Sequence, residues 1–131
     1  MLFRSLVLAV VMHLERGSRE AAEAELSEIV AWRRAHQPGG RNGGSVFRNP
    51  PNDSAGRLIE ACGLKGHAIG GAMISDKHAN FIVNRGKATA THIEALIDLA
   101  ASRVRDKFNV ALEREVRILG GVPAAKEAAH G

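Results

Sequence analysis

The sequence predicts an α+β domain in which helices pack on a small mixed sheet. Segments with strand-like and helix-like patterns alternate along the 131 residues, but not as strict strand–helix–strand units. Hydrophobic residues make up 45% of the chain and charged residues 24%, which is typical of a globular protein. A chain of this length is expected to form one ordinary domain with a modest core.

The amino-terminal segment is apolar, and its Val and Leu content predicts a buried strand over residues 5–15, ended by Gly17. The run is too short to span a bilayer. No small-x-small cleavage site follows it, so a secretory signal is not expected either.

Ser18 can cap a helix that starts at residue 19 and ends before Pro38. Four residues recur on one predicted face of this helix: Ala22, Leu26, Ile29 and Val30. Trp32 is expected to be a partly buried anchor. The other predicted elements are a short helix capped by Asp53 or Ser54, strands "AIGGAMIS" and "NFIVN" joined by "DKHA", a helix capped by Thr89 or Thr91, and a final strand "LEREVRIL".

The stretch "RNGGSVFRNPP", residues 41–51, places Ser45 after two glycines and between Arg41 and Arg48. The glycines allow the backbone to approach a ligand closely, and the double proline stiffens the exit from the loop. The arginines supply positive charge for an anion. Spacing and composition therefore indicate an anion-binding site with Ser45 at its centre.

Several other functional classes lack their sequence signals. The net charge is +4, but the basic residues are scattered and the chain has four Phe, one Trp and no Tyr, so a nucleic-acid-binding surface is not expected. Cys62 is the only cysteine, and no two of the six histidines have the i, i+4 spacing of a helical metal site. No dinucleotide-binding, P-loop or nucleophile-elbow motif occurs. A cytoplasmic protein without a bound metal is the expectation.

The predicted final strand would place Glu113, Glu115 and Arg117 on one face. A glutamate and an arginine two residues apart can form a structural ion pair or can contact a ligand together, and the pattern leaves both possible. Lys65, His78 and Asn80 lie in predicted turns, where they are either solvated turn residues or ligand contacts.

Taken together, the segments "AWRRAHQPGGRNGGSVFRNPP", "LKG", "IGGAMISDKHANFIVN" and "LEREVRILG" resemble the carboxy-terminal part of the UDP-N-acetylenolpyruvoylglucosamine reductases. These landmarks occur in the family's order, and the direct passage from the first strand into the first helix is similar to the family's shorter form. The resemblance implies a cytoplasmic flavoenzyme that uses FAD and NADPH to reduce UDP-N-acetylglucosamine enolpyruvate during peptidoglycan precursor synthesis.

The resemblance also implies roles for individual residues. Ser45 matches the serine that donates a proton to the substrate, and Glu115 matches the glutamate that assists the reaction. Four residues match positions near the substrate: Asn49, Lys65, His78 and Arg117. Arg33 or Arg34 would lie near the flavin.

By the same resemblance, residues 1–17 would be a remnant strand of the flavin-binding region, residues 18–120 the substrate-binding domain and residues 121–131 a flexible tail. The family's flavin-binding glycine-rich segments are not found, so we expect this chain alone neither to hold FAD tightly nor to reduce substrate. A separate flavin-binding chain would be its partner, and the strand at 5–15 could mediate self-association. The alternatives are a non-catalytic UDP-sugar-binding module and a non-functional fragment.

Overall fold

The computed structural model describes residues 6–120. The chain divides into two compact units between Arg33 and Arg34. Its regular elements, in chain order, are α1 (Arg19–His36), β1 (Asn42–Ser45), α2 (Ala55–Ala61), β2 (Ala68–Ile69), β3 (Ala72–Ile74), β4 (Phe81–Asn84) and α3 (Ala90–Phe108).

The four strands form one sheet in the order β1-β4-β3-β2. The α+β class is confirmed. All three strand pairings are antiparallel, however, so the expectation of a mixed sheet was wrong. Short turns explain the pairings of β2 with β3 and of β3 with β4, because a parallel pairing needs a crossover connection of a dozen residues or more. The long connection between β1 and β4 allows either direction, and the structure has the antiparallel one.

The core lies where α3 packs on α2, β2 and β3. The buried residues of α3 recur at helical spacing and form one stripe: Leu96, Ile97, Ala100 and Val104. Phe47 from the segment after β1, together with Leu58 and Ile59 from α2, is also fully buried. The segment that carries the predicted serine is therefore anchored directly in the core.

The start of α3 is tied to the turn between β2 and β3 through His92. Thr89 caps the helix as predicted, and its hydroxyl oxygen accepts a hydrogen bond from the His92 amide. The Nδ1 atom of His92 accepts hydrogen bonds from the Thr89 amide at 3.2 Å and from the Gly71 amide at 3.4 Å.

Several predicted elements are corrected. "AIGGAMIS" is not one strand but two, because Gly70, at φ +54°, turns the chain between β2 and β3. Residues 42–45, expected to be loop, form β1. "LEREVRIL" is not a regular strand: it makes a single bridge between Phe47 and Arg114, flanked by backbone hydrogen bonds from the Arg48 amide to Glu113 and from the Glu115 amide to Val46.

The strand predicted at 5–15 was also wrong over residues 6–15, which are exposed and have no regular secondary structure. A strand needs a partner for its backbone groups, and the described part of the chain pairs no strand with this segment. Self-association was predicted to use this strand. It stays a prediction. Residue 5 and the tail at 121–131 lie outside the described residues.

Ser18 precedes α1 as predicted, and its hydroxyl oxygen accepts a hydrogen bond from the Ala21 amide at 3.3 Å. No residue of α1 is buried. Trp32 is 58% exposed, so its prediction as a partly buried anchor was wrong. The helical period placed apolar residues on one face of α1, but periodicity alone does not determine whether this chain covers that face.

Candidate functional site

A cleft of about 320 Å³ opens between the end of β1, the start of α2 and the turn that precedes β4. Its lining is mainly polar and consists of Ser45, Asn49, Ser54, Gly56, Arg57, Glu60, Lys65, Lys77, His78, Ala79 and Asn80. Four of the six residues predicted to act on or bind substrate, namely Ser45, Asn49, Lys65 and His78, are thus brought together from separate segments.

Ser45 is the last residue of β1 and is half-buried at the cleft. It pairs with Phe81 of β4, and the register between Asn42 and Ser45 is irregular. Gly44 adopts φ +81°, and its amide donates a hydrogen bond to the Asn42 side-chain oxygen at 2.9 Å. The glycine thus provides the left-handed conformation that turns Ser45 toward its pairing partner.

Asn49 and residues of α2 line one part of the cleft. The Asn49 side-chain oxygen accepts a hydrogen bond from the Ala55 amide at 3.0 Å, at the first residue of α2. Ser54 caps the helix, and its hydroxyl oxygen accepts from the Arg57 amide. These hydrogen bonds fix the Asn49 side-chain oxygen and the Ser54 hydroxyl at the start of α2.

The cleft carries more positive than negative charge, because Arg57, Lys65 and Lys77 line it with Glu60 as the one carboxylate in its lining. Lys65 forms an ion pair with Glu60 at 2.9 Å. The Lys77 ammonium donates to the backbone oxygen of Arg34 at 2.6 Å. Arg57 is paired with Asp53 at the rim, so Lys77 is the cation of this lining that has no carboxylate partner among the ion pairs described. The resulting positive surplus suits an anionic ligand.

His78 is held in a defined tautomer by its neighbours. Its Nδ1 atom accepts a hydrogen bond from the Asn80 amide at 3.2 Å, so the neutral ring carries its proton on Nε2. The ring packs edge-on against Phe81, with 4.9 Å between centroids. A side chain on Gly56 would lie 3.0 Å from His78 Cε1, so the glycine makes room for the imidazole.

The remaining predicted residues do not line the cleft. The Glu115 amide donates to the Val46 backbone oxygen at 2.8 Å, which places its backbone beside the serine segment, but its side chain is exposed. Arg117 is exposed as well. Arg33 and Arg34 lie near the end of α1, in different compact units. The Glu113 and Arg114 side chains form ion pairs with Arg48 and Asp98, as structural partners do.

Comparison with known proteins gives this geometry a context. The family model of the UDP-N-acetylenolpyruvoylglucosamine reductase C-terminal domain matches residues 36–119. The chain belongs to this family. The match begins at the last residue of α1 and extends beyond Arg117, so it includes every residue of the cleft.

Full-length relatives and a solved structure agree with this assignment. The reductase of Thiobacillus denitrificans is 58% identical over 82% of this chain and 33% of its own length, and that of Chloroflexus aurantiacus is 54% identical over 87% and 38%. The crystal structure of the Thermus caldophilus reductase superposes with a TM-score of 0.66 at 39% identity, covering 80% of this chain and 37% of that one. The chain thus spans about a third of the length of the relatives it matches.

Arg57 and Lys77 were not predicted to be members of the site. Arg57 follows Asp53 by four residues on the first turn of α2, a spacing typical of a helical ion pair rather than of a ligand contact. Lys77 directly precedes His78 in a predicted turn, and that adjacency was the available signal. Asn80 was predicted to be either a turn residue or a ligand contact, and its hydrogen bonds to Phe47 were not foreseen.

Within residues 6–120, no helix is long and apolar enough to cross a membrane. The same residues contain no group of three or more His, Cys, Asp or Glu side chains arranged to hold a metal ion.

The Asp53–Arg57 pair at the rim of the cleft predicts a pH dependence of stability. The hydrogen bond from Arg57 Nε, at 2.6 Å, together with one from the Ser54 amide, lowers the pKa of Asp53 from 3.8 to about 2. A lowered folded-state pKa gives stability that is fully present above pH 4 and is lost as the pH falls through 2. Urea unfolding at pH 5, 3 and 2 should therefore show that the free energy of unfolding falls less with decreasing pH in Asp53→Asn than in the wild type. Parallel losses in the two proteins would contradict the assignment.

Proposed function

We propose that this chain provides the substrate-binding and proton-donating domain of a UDP-N-acetylenolpyruvoylglucosamine reductase. The observation that carries the proposal is the convergence of Ser45, Asn49, Lys65 and His78 on one polar cleft. The substrate is UDP-N-acetylglucosamine enolpyruvate, the compound on which the family's name indicates that its members act.

The charges of the cleft support a nucleotide-sugar ligand. A diphosphate carries two negative charges and several hydrogen-bond acceptors, and Lys65, Lys77 and the Nε2–H group of His78 are donors that line the cleft. Glu60 holds the Lys65 ammonium from one side, so the phosphate oxygens would approach it from the open side. The same lining disfavours an apolar ligand.

Ser45 supplies the proton in this proposal. Reduction of a carbon–carbon double bond adds hydride to one carbon and a proton to the other, and the Ser45 hydroxyl is the group placed to deliver the proton. An alcohol is a weak acid, so transfer requires fixed geometry and a cationic environment. We assign Glu115 to assisting this step and Arg117 to the substrate carboxylate, on the basis of their positions in the family motif.

The hydride source is a separate matter. The family resemblance implies FAD and NADPH, and the lining of this cleft is polar, with the His78 imidazole as its one ring. We propose that flavin is bound by a separate flavin-binding chain, with Arg33 or Arg34 near it. Cytoplasmic synthesis of peptidoglycan precursors is the corresponding cellular role.

The test is calorimetric titration of the chain with UDP-N-acetylenolpyruvoylglucosamine, and we expect binding without added flavin. Ser45→Ala should weaken binding about 3- to 10-fold, because one hydrogen bond to a polar ligand is lost. Ser102→Ala is the matched control, since Ser102 is exposed on α3 and donates only to its own helix. A folded chain that shows no heat of binding would refute the proposal for this polypeptide and favour the non-functional alternative.

A further inference from the structure

Asn80 makes an unusually complete set of hydrogen bonds to the segment that carries Ser45. Its side chain is 4% exposed. The side-chain oxygen accepts from the Phe47 amide at 3.0 Å, and the side-chain nitrogen donates to the Phe47 backbone oxygen at 2.8 Å. The Asn80 backbone oxygen accepts from the Val46 amide at 2.9 Å. The three peptide groups that follow Ser45 are therefore each bound to one residue.

The same residue also orients the histidine of the cleft. The Asn80 amide donates to His78 Nδ1 and thereby sets which ring nitrogen carries the proton. Asn80 thus connects two cleft residues that lie 33 positions apart in the sequence, Ser45 and His78. A carboxylate of the same shape could accept from Phe47 but could not donate to it, and a leucine could do neither.

The regular sheet does not supply this constraint. The pairing of β1 with β4 is interrupted between Asn42 and Ser45, and an irregular register leaves backbone groups without ladder partners and bends the strand. After β1 ends at Ser45, hydrogen bonds between Asn80 and the Val46 and Phe47 backbone hold the chain. The Asn80 side chain therefore adds a constraint on the serine segment beyond the pairing of Ser45 with Phe81. The Glu115 and Val116 amides hold the same segment from the other side, through the Val46 backbone oxygen.

We infer that Asn80 is a positioning residue whose side chain sets the location of the Ser45 hydroxyl in the cleft. The effect of Asn80 on ligand binding through Ser45 rests on the proposed function. Its geometric part, the fixing of the serine segment, stands independently of any ligand.

The first test is amide hydrogen exchange of the free chain, wild type and Asn80→Ala. In the variant the Val46 amide can still bond to the backbone oxygen of residue 80, so faster exchange there reports loosening of the segment and not simple loss of its acceptor. We expect Asn80→Ala to raise the ratio of the exchange rate at the Val46 amide to that at the Ile97 amide in the core by about ten-fold. This is the loss of protection expected when two side-chain hydrogen bonds are removed.

Asn84→Ala is the matched control. Asn84 is the last residue of β4, whereas Asn80 lies in the turn just before that strand. The Asn84 side-chain oxygen accepts hydrogen bonds from the Gly86 and Ala88 amides. This variant also loses two hydrogen bonds, but it should leave the Val46-to-Ile97 ratio unchanged. Equal ratios in the two variants would overturn the inference, whether or not the chain binds a ligand.

The second test is a double-mutant cycle on UDP-N-acetylenolpyruvoylglucosamine binding with Ser45→Ala and Asn80→Ala, measured on the folded fraction. If Asn80 acts through Ser45, the double variant binds no more than about 2-fold more weakly than the weaker single variant. Full additivity would overturn the link to Ser45 while leaving the proposed function in place. Absence of binding by the wild type would refute the proposed function, and the exchange result would then decide the geometric inference alone.

Discussion

Replacing Gly71 by alanine is expected to destabilise the domain by at least about 3 kcal/mol, a loss typical of severe steric conflict in a tightly packed region. A methyl group there would lie 2.3 Å from the Gly86 oxygen, 2.6 Å from the Ala88 nitrogen and 2.8 Å from the Lys87 carbonyl carbon. These are backbone atoms, so no side chain can rotate away to relieve the overlap. Accommodation would have to separate the start of β3 from the turn that precedes α3.

Gly39→Ala is the appropriate control for this prediction. Gly39 has no atom within 4 Å of the added methyl group and does not need a left-handed conformation. Urea unfolding of the two variants should show a change within about 0.5 kcal/mol for Gly39→Ala, as expected at an unconstrained surface position. Similar stabilities for the two variants would show that the backbone at Gly71 can shift without cost.

Phe47→Ala is expected to cost about 3–5 kcal/mol in unfolding free energy, the range for loss of a buried aromatic side chain. Phe47 is 1% exposed and lies two residues after Ser45. Because its backbone is also the target of the Asn80 side chain, the cavity left by the ring would weaken the attachment of the serine segment to the core. Stability and ligand affinity should therefore fall together in this variant.

Phe108→Ala provides the comparison. Phe108 is only half-buried at the end of α3, where Arg57 and Lys107 lie near its ring, at 5.7 and 5.6 Å from the centroid. Its removal should cost about 1–2 kcal/mol, because less apolar area is lost from the interior. Thermal denaturation and titration of both variants would check this difference. Equal losses, or unchanged affinity in Phe47→Ala, would contradict the coupling of core and cleft.

The helices were predictable from local signals. Thr89 and Ser54 were proposed as caps because short polar side chains satisfy free amides at helix starts, and the apolar stripe of α3 followed from its 3.6-residue period. The strands were less predictable. β1 contains "NGGS", which has none of the β-branched residues that mark strands, and only its pairing with β4 makes it one.

The candidate site divides in the same way. Motifs singled out Ser45, Asn49, Lys65 and His78, and the fold brings them together. Asn80 was not predicted to contact Phe47, because a hydrogen bond across 33 residues leaves no periodic trace in the sequence. Strand alternation predicted that Glu115 and Arg117 share a face, and the family resemblance implied their roles in the site. The segment has a single bridge in place of a ladder, so alternation did not determine where their side chains lie.

All residues of the cleft come from one continuous stretch, 45–80. Contacts between residues close in sequence form quickly, so the binding surface can assemble before the carboxy-terminal segment docks beside Val46. Continuity also has an evolutionary consequence. A recombination event with both crossover points outside this stretch would transfer the whole surface intact, so ligand preference could be inherited as a single block and exchanged between related chains without rebuilding the sheet around it.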